Sequence, residues 1–206
     1  MNQRGVSKVL IITVIAGILI VGAGIGYWLG RGEEASPKEE PSDSQETNQN
    51  PQFDAPFVGD YFSFIPPTGW IQTHLPSTLV SYQNSREVQP KDSAAAKINF
   101  KSYFAVSFDK TSGQTLDEIT KMVKKQLEGV APAIKFLSTV DGTIGGQPAK
   151  LIEADLKMQD VNFKVIVAIA MKGDKYFNIS NNTTAEKWPE YRDIFYNVLN
   201  SFEFKY

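Results

Sequence analysis

The segment from Val9 to Leu29, VLIITVIAGILIVGAGIGYWL, carries no charged residue and constrains this chain more than any other. As a helix, about 21 residues at about 1.5 Å each span roughly 31 Å, the thickness of a bilayer's hydrocarbon core. Its Leu, Ile and Val side chains favour insertion by very roughly 4–7 kcal/mol before the costs of glycine and threonine. Arg4 and Lys8 precede the segment, while Glu33 and Glu34 follow it with only Arg31 between. Positive flanks stay inside, so residues 1–8 are expected in the cytoplasm and the rest of the chain outside. Tyr27 and Trp28 fall where interfacial aromatic residues anchor a span. The rival is a cleaved signal peptide, for which Val21-Gly22-Ala23 is an acceptable site. The apolar run continues past that site, so a retained single-pass anchor over 9–29 is the expectation.

Two glycine patterns lie here. Gly22, Gly26 and Gly30 make consecutive G-x-x-x-G spacings, which can bring two membrane helices close. Gly22-Ala-Gly24-Ile-Gly26 also hints at a dinucleotide-binding turn. That turn must open a helix of a βαβ unit, and a charged, proline-bearing stretch follows instead.

Residues 30–56 read as an acidic, disordered linker rich in Pro, Ser, Glu, Gln and Asn. Such a composition buries too little apolar surface to offset its ordering entropy. As a flexible coil it spans roughly 30 Å. Residues 1–56 carry four Lys/Arg and seven Asp/Glu, and the remainder 17 and 16, giving −3 and +1. A folded part so near neutrality has no electrostatic footprint for nucleic acid. The chain has no cysteine, which removes disulfides, thiolate metal sites and a lipidated N-terminal cysteine.

Residues 57–206 are expected to form one domain. Phe62 and Phe64 alternate with polar neighbours, Pro66-Pro67-Thr68-Gly69 turns the chain, and Trp70 opens a second strand. Ile98, Phe100, Phe104, Val106 and Phe108 share one strand face, while Asn99, Lys101, Ser107 and Asp109 are expected to point the other way. Val161, Phe163, Val165, Val167, Ile169 and Met171 share another. Gly145-Gly146-Gln147-Pro148 and Lys172-Gly173-Asp174-Lys175 read as hairpin turns. Two segments switch to helical period. Thr115-Leu-Asp-Glu118 is a capping box leading into Leu116, Ile119, Val123 and Leu127, with Gly129 as the expected end. A second helix is expected from Trp188-Pro189, burying Tyr191, Ile194, Phe195, Val198, Leu199 and Phe202. Strands joined by short turns and interrupted by two helices predict an α+β domain, an antiparallel sheet with helices packed on it.

Three short motifs carry a resemblance. Pro67-Thr-Gly69-Trp70 after an aromatic strand, Gly145-Gly-Gln-Pro-Ala149, and the closing Ser201-Phe-Glu-Phe204 resemble the pattern of PsbP-like domains. The likeness covers roughly residues 57–206. It implies the fold shared by PsbP and DcrB-like proteins, a sheet between helical layers (an α/β/α sandwich), and accessory or binding roles rather than catalysis. The matched positions are turn and core residues, so no functional residue carries over. The chain departs from the family in having neither a lipid-modified cysteine nor a recognisable thylakoid transit peptide.

No nucleophile elbow, H-E-x-x-H or P-loop is present. His74, the one histidine, sits beside Leu75-Pro76 at a strand end and reads as solvated. Glu153 and Asp155 lie two apart on one strand and so share a face, with Asp160 as a possible third oxygen. Ile152, Ala154 and Leu156 make that face read as the outside of an ordinary strand. The long segment Gln83–Lys97, with Arg86, Glu87, Lys91 and Asp92, offers a surface for a partner. Asn178, Asn181 and Asn182 begin glycosylation sequons.

The leading expectation is a non-enzymatic accessory or binding domain, anchored in the cell membrane and facing outward, with a protein partner at the membrane surface and no cofactor. One alternative is an assembly factor of a membrane complex that binds Ca²⁺ or Mn²⁺. The other is a hydrolase using Glu153 and Asp155.

Overall fold

The computed structural model describes residues 55–205. The expected anchor, with Gly22, Gly26, Tyr27, Trp28 and Gly30, lies outside the described residues, as does the expected linker up to Asp54. Among the described residues, no helix is long and apolar enough to cross a membrane.

The long strands follow from turn chemistry. β6 (Lys135–Ile144), β7 (Gln147–Met158), β8 (Val161–Lys172) and β9 (Lys175–Thr184) form a meander. Its closing pairs are Ile144↔Gln147, Met158↔Val161 and Lys172↔Lys175, so each hairpin turns over two residues. Gly145 and Gly146 take φ of 53° and 73°, the sign that tight hairpins of this twist require. Gln159 and Asp160 take 48° and 61° without being glycine, and for that reason their turn carries no clear signal in the sequence.

Six further strands complete the large sheet's other half and a small second sheet. They are β3 (Ile71–Thr73), β4 (Val80–Gln83) and β5 (Tyr103–Lys110), with β1 (Phe57–Val58), β2 (Phe62–Phe64) and the final β10 (Glu203–Phe204) apart. The large sheet is antiparallel in the order β3-β4-β5-β9-β8-β7-β6, and the small one runs β1-β2-β10.

A helix covers each face of the large sheet. α2 (Leu116–Val130) starts at the expected capping box, with Thr115 and Glu118 bonded reciprocally. It packs Ile119, Val123 and Leu127 against Ile152, Val167 and Ile169. α3 (Trp188–Asn200) begins with Pro189 in its first turn and packs Tyr191, Phe195, Val198 and Leu199 against Ile166, Ala168 and Ala170. Val167 and Ala168 point to opposite faces because strand side chains alternate. The sheet therefore lies between two helical layers.

The small sheet is fixed by aromatic rings. Phe64 stacks on Phe202 at 5.3 Å and meets Phe104 edge-on at 5.0 Å, and Phe62 meets Phe177 edge-on at 5.9 Å. Such pairs contribute about 0.5–1.5 kcal/mol each beyond burial.

Three expectations are corrected. Ile98 and Phe100 do not extend β5. Ser93 caps a single turn, α1 (Ala94–Lys97), and Asn99 then adopts φ of 50°. That reversal sends Phe100 against Phe163 at 4.9 Å instead of into the Phe104–Val106 row. Ser107, expected outward, is buried because both faces of β5 are covered. Gly129 does not end α2, which continues to Val130 and is capped at Ala131, whose N–H donates to Leu127 O at 2.8 Å.

Two glycines of one turn separate strain from space. A Cβ on Gly145 meets a Phe204 ring carbon at 2.9 Å and Phe202 O at 3.0 Å, whereas one on Gly146 meets nothing within 4 Å. Gly146→Ala should cost only the positive-φ penalty of about 1–2 kcal/mol. Gly145→Ala should lower the melting temperature further, as read by circular dichroism. Thr115→Ala should lose about 1 kcal/mol through its cap, as read by denaturant titration.

Candidate functional site

The carboxylates singled out from sequence are drawn apart by their partners. Glu153 and Asp155 share a face of β7, as expected, but that face is not a free exterior. α3 lies over it, and Tyr196 donates its hydroxyl to Glu153 Oε1 at 2.6 Å. Burial, and then this contact, push the Tyr196 hydroxyl up to about 12. Asp155 pairs with Lys164 on the neighbouring strand at 2.7 Å, and Lys164 also sits over the Trp188 ring at 5.8 Å. Asp160 occupies the β7–β8 turn and pairs with Lys157 at 3.2 Å. Among the described residues, no three His, Cys, Asp or Glu side chains group closely enough to hold a metal ion. His74 is exposed just beyond β3.

The segment after β4 is tied down instead of presenting its charges. Glu87 is buried, and its carboxylate accepts from the Ser102 N–H and, at 2.9 Å, from the Ser102 hydroxyl. Ser102 Oγ lies 2.7 Å from Thr183 Oγ1 on β9. Lys101 donates to the Glu87 carbonyl, Asn84 donates to the Tyr191 hydroxyl at 2.8 Å, and Gln89 donates to Phe100 O at 3.3 Å. Of the charged residues named there, Glu87 turns inward, while Arg86, Lys91 and Asp92 stay exposed.

β9 holds a feature that sequence reasoning missed. Every residue from Tyr176 to Thr184 is buried, including Asn178, Ser180, Asn181, Asn182 and Thr183. At 3%, 0% and 2% exposure, Asn178, Asn181 and Asn182 are no glycosylation sites in the folded domain. Asn178 Oδ1, Ser180 Oγ and both amide atoms of Asn182 lie on one face, with no hydrogen-bond partner among the described residues. The signal was available: Tyr176–Thr184 contains no charge, as a strand covered on both sides requires.

Two surface features among the described residues bear on docking. The first is the outer edge of β6. It ends the large sheet, runs ten residues, and leaves Leu137 and Val140 half exposed. A register shift between Phe136 and Ser138 interrupts its start, but Ser138–Ile144 is regular. The second is a groove of about 370 Å³ between the Ile65–Trp70 turn and the last turns of α3. The turn is held by Trp70 N–H donating to Pro67 O at 3.1 Å and Ile65 N–H donating to Ser201 Oγ at 3.0 Å. Trp70 rests on Tyr191 and Phe195, 5.7 and 6.1 Å away. Among the described residues, its lining is uncharged, with Thr68 and Ser201 contributing hydroxyls.

The family model described as PsbP matches residues 55–204. The solution structure of cyanobacterial PsbP (CyanoP) from Synechocystis sp. PCC 6803 is similar over 70% of this chain and 86% of its own, at 16% identity and a TM-score of 0.52. LpqN of Mycobacterium tuberculosis, involved in cell envelope biogenesis, is similar over 74% of this chain and 90% of its own, at 13% identity and a TM-score of 0.52. At such identities the likeness is one of fold. No curated protein matches the chain significantly.

Removing the Glu87 carboxylate leaves two Ser102 donors buried. Glu87→Ala should therefore cost about 3 kcal/mol in denaturant titration. Ser180→Ala should be neutral or stabilising by about 1 kcal/mol, since it deletes an unpartnered buried hydroxyl. Burial, then the nearby Glu87, pushes the Tyr191 hydroxyl up to about 12. The unfolded hydroxyl ionises near pH 10, so stability is intact below about pH 10 and falls as pH rises toward 12. Tyr191→Phe should flatten that fall.

Proposed function

Because the chain belongs to the PsbP family, we propose that it is an accessory domain that acts by docking a protein partner, without catalysis of its own. In this reading residues 9–29 hold it to the cell membrane, residues 1–8 stay in the cytoplasm, and the linker at 30–56 carries the domain on the outer side. The uncharged apolar run and its charged flanks support that placement.

The observation that carries the docking role is the β6 edge. An edge strand presents a row of unpaired backbone N–H and C=O groups, which an incoming extended segment can pair with. Short strands and dense charge are the usual protection. The opposite edge, β3, has that brevity at three residues. β6 has ten, with Leu137 and Val140 standing 50% and 52% exposed beside its backbone. Backbone pairing along the regular run Ser138–Ile144 supplies affinity, and Val140 is the exposed apolar side chain within it.

Catalysis by Glu153 and Asp155 finds no support in the geometry. One carboxylate is held by Tyr196 and the other by Lys164, and both contacts belong to the packing of β7. An ion-dependent role through Glu153, Asp155 and Asp160 would have to break three such contacts.

Two experiments test this reading. A photo-reactive residue at Val140, in intact membranes, should give a discrete adduct that Thr139→Pro abolishes, while the same residue at exposed Lys121 gives none. Adducts of equal yield at both positions sink the edge-docking role. Full-length protein should resist alkaline carbonate extraction, and protease at an accessible cell surface should release the domain through the linker. Complete extraction by carbonate refutes the anchor and leaves the docking test standing.

A further inference from the structure

Pro148 fixes which backbone groups of β6 face outward. Ile144 and Gln147 close the β6–β7 hairpin, and Thr143 stands opposite Pro148. Pro148 has no N–H, so Thr143↔Pro148 cannot exchange both bonds, and Ile144↔Gln147 is the bonded pair. Bonded and unbonded pairs alternate along an antiparallel ladder. Gly142, Val140 and Ser138 therefore turn their N–H and C=O groups toward β7, while Thr143, Asp141 and Thr139 turn theirs away from the sheet. Every residue from 139 to 143 is exposed, so neither helix covers this part of the edge.

The side chains of the same run are arranged with equal regularity. Thr139 and Asp141 stand opposite Ile152 and Lys150, on the face that α2 covers. Asp141 pairs with Lys150 at 2.6 Å. Lys124, from α2, donates to Thr139 Oγ1 at 3.0 Å and sits over the Phe136 ring at 4.5 Å. Its ammonium is thus held at the rim of the edge. Val140 stands on the opposite face, 52% exposed.

We propose that β6 pairs with β6 of a second copy, antiparallel about a two-fold axis at Val140, joining the two large sheets into one. In this register Thr139 of each copy faces Asp141 of the other. Both residues present their backbone groups outward, so both pairs exchange N–H and C=O bonds. Val140 meets Val140 across the axis on one face. On the other, Lys124 on Thr139 comes beside Asp141 of the other copy, and each carboxylate gains a second cation. Neighbouring registers lose this match. Centring on Asp141 sets carboxylate against carboxylate, which repels. Centring on Gly142 sets Asp141 opposite Thr143, away from Lys124. Centring on Thr139 runs Asp141 into the irregularity between Phe136 and Ser138. The partner of the docking edge is thereby a second copy of this chain, an assignment that rests on that edge's docking role.

The chain has no cysteine, so single cysteines can be placed without background. Full-length protein, expressed in cells, is oxidised in place with copper phenanthroline. Val140→Cys should give a disulfide-linked dimer, because facing residues of an unbonded pair hold their Cα atoms about 4.5 Å apart, inside disulfide range. Thr143 lies three residues from the axis in each copy, about 20 Å from its counterpart. Thr143→Cys should therefore link at least about tenfold more slowly. In the Val140→Cys chain, Lys124→Glu should slow linking about fivefold, and adding Asp141→Lys should restore it. Thr139→Pro removes an outward donor, leaves the β6–β7 bonds intact, and should abolish linking.

Equal rates at positions 140 and 143, or charge reversals without effect, overturn the self-pairing. If the photo-reactive residue at Val140 then joins a different protein, the edge still docks and only the identity of its partner is lost. If it joins nothing, the docking role falls with the self-pairing.

Discussion

Burial of the central strands on both faces is the constraint from which the rest of the architecture follows. β8 is buried continuously from Val165 to Ala170 and β9 from Tyr176 to Thr184. A strand covered on one side alternates apolar and polar residues, whereas one covered on both sides admits no charge anywhere. That demand explains the two helices. α2 answers Val167 and Ile169, and α3 answers Ile166, Ala168 and Ala170. The alanines leave room for the rings of Tyr191 and Phe195, so small residues on the strand are matched by large ones on the helix. The same demand makes the asparagines of β9 conspicuous, since their amides enter the core with few bonds to compensate.

Local chemistry was legible in the sequence wherever one residue type fits a backbone need. The glycine-bearing hairpin turns, the Thr115–Glu118 box and the helix start at Pro189 stand where the pattern places them. Events decided by distant packing were not legible. Asn99 interrupts an apolar alternation that reads as a continuous strand, because the left-handed conformation there is fixed by the α1 turn and by Phe163. The Gln159–Asp160 turn has no glycine to announce it. For the candidate site, the shared face of Glu153 and Asp155 was correctly read from period two. What that face meets was not, since Tyr196 reaches it from a helix across the domain. Glu87 shows the same limit: a charged residue in a long connection reads as exposed until its acceptor role toward Ser102 is seen.

The PsbP fold is thus specified here mainly through its interior, while the features that distinguish this chain lie at the margins. One is the long sheet edge at β6, with Leu137 and Val140 half exposed. Another is the small sheet, where β2 pairs with β1 on one side and with β10 on the other. Through it the entry and the end of the described fold are bonded to one strand, and its aromatic rings bind both to the main core. The Trp70 turn leaves this small sheet directly, so the groove's wall is as firmly seated as the core beneath it.

The order of strands in the large sheet also divides its contacts by range. From β6 to β9 each strand bonds to its immediate successor over a two-residue turn. β5, however, bonds along its whole length to β9, from Tyr103↔Asn182 to Lys110↔Lys175, across everything between them. Loop-closure entropy grows with the separation spanned, so the meander can zip locally while the β5–β9 seam waits for it to exist. Chain synthesis reinforces that order, because β5 leaves the ribosome well before the partner that completes it. In the interval β5 holds its apolar rows without their final neighbour. The late seam, rather than the stable core it creates, is therefore the point at which this fold is most exposed to error.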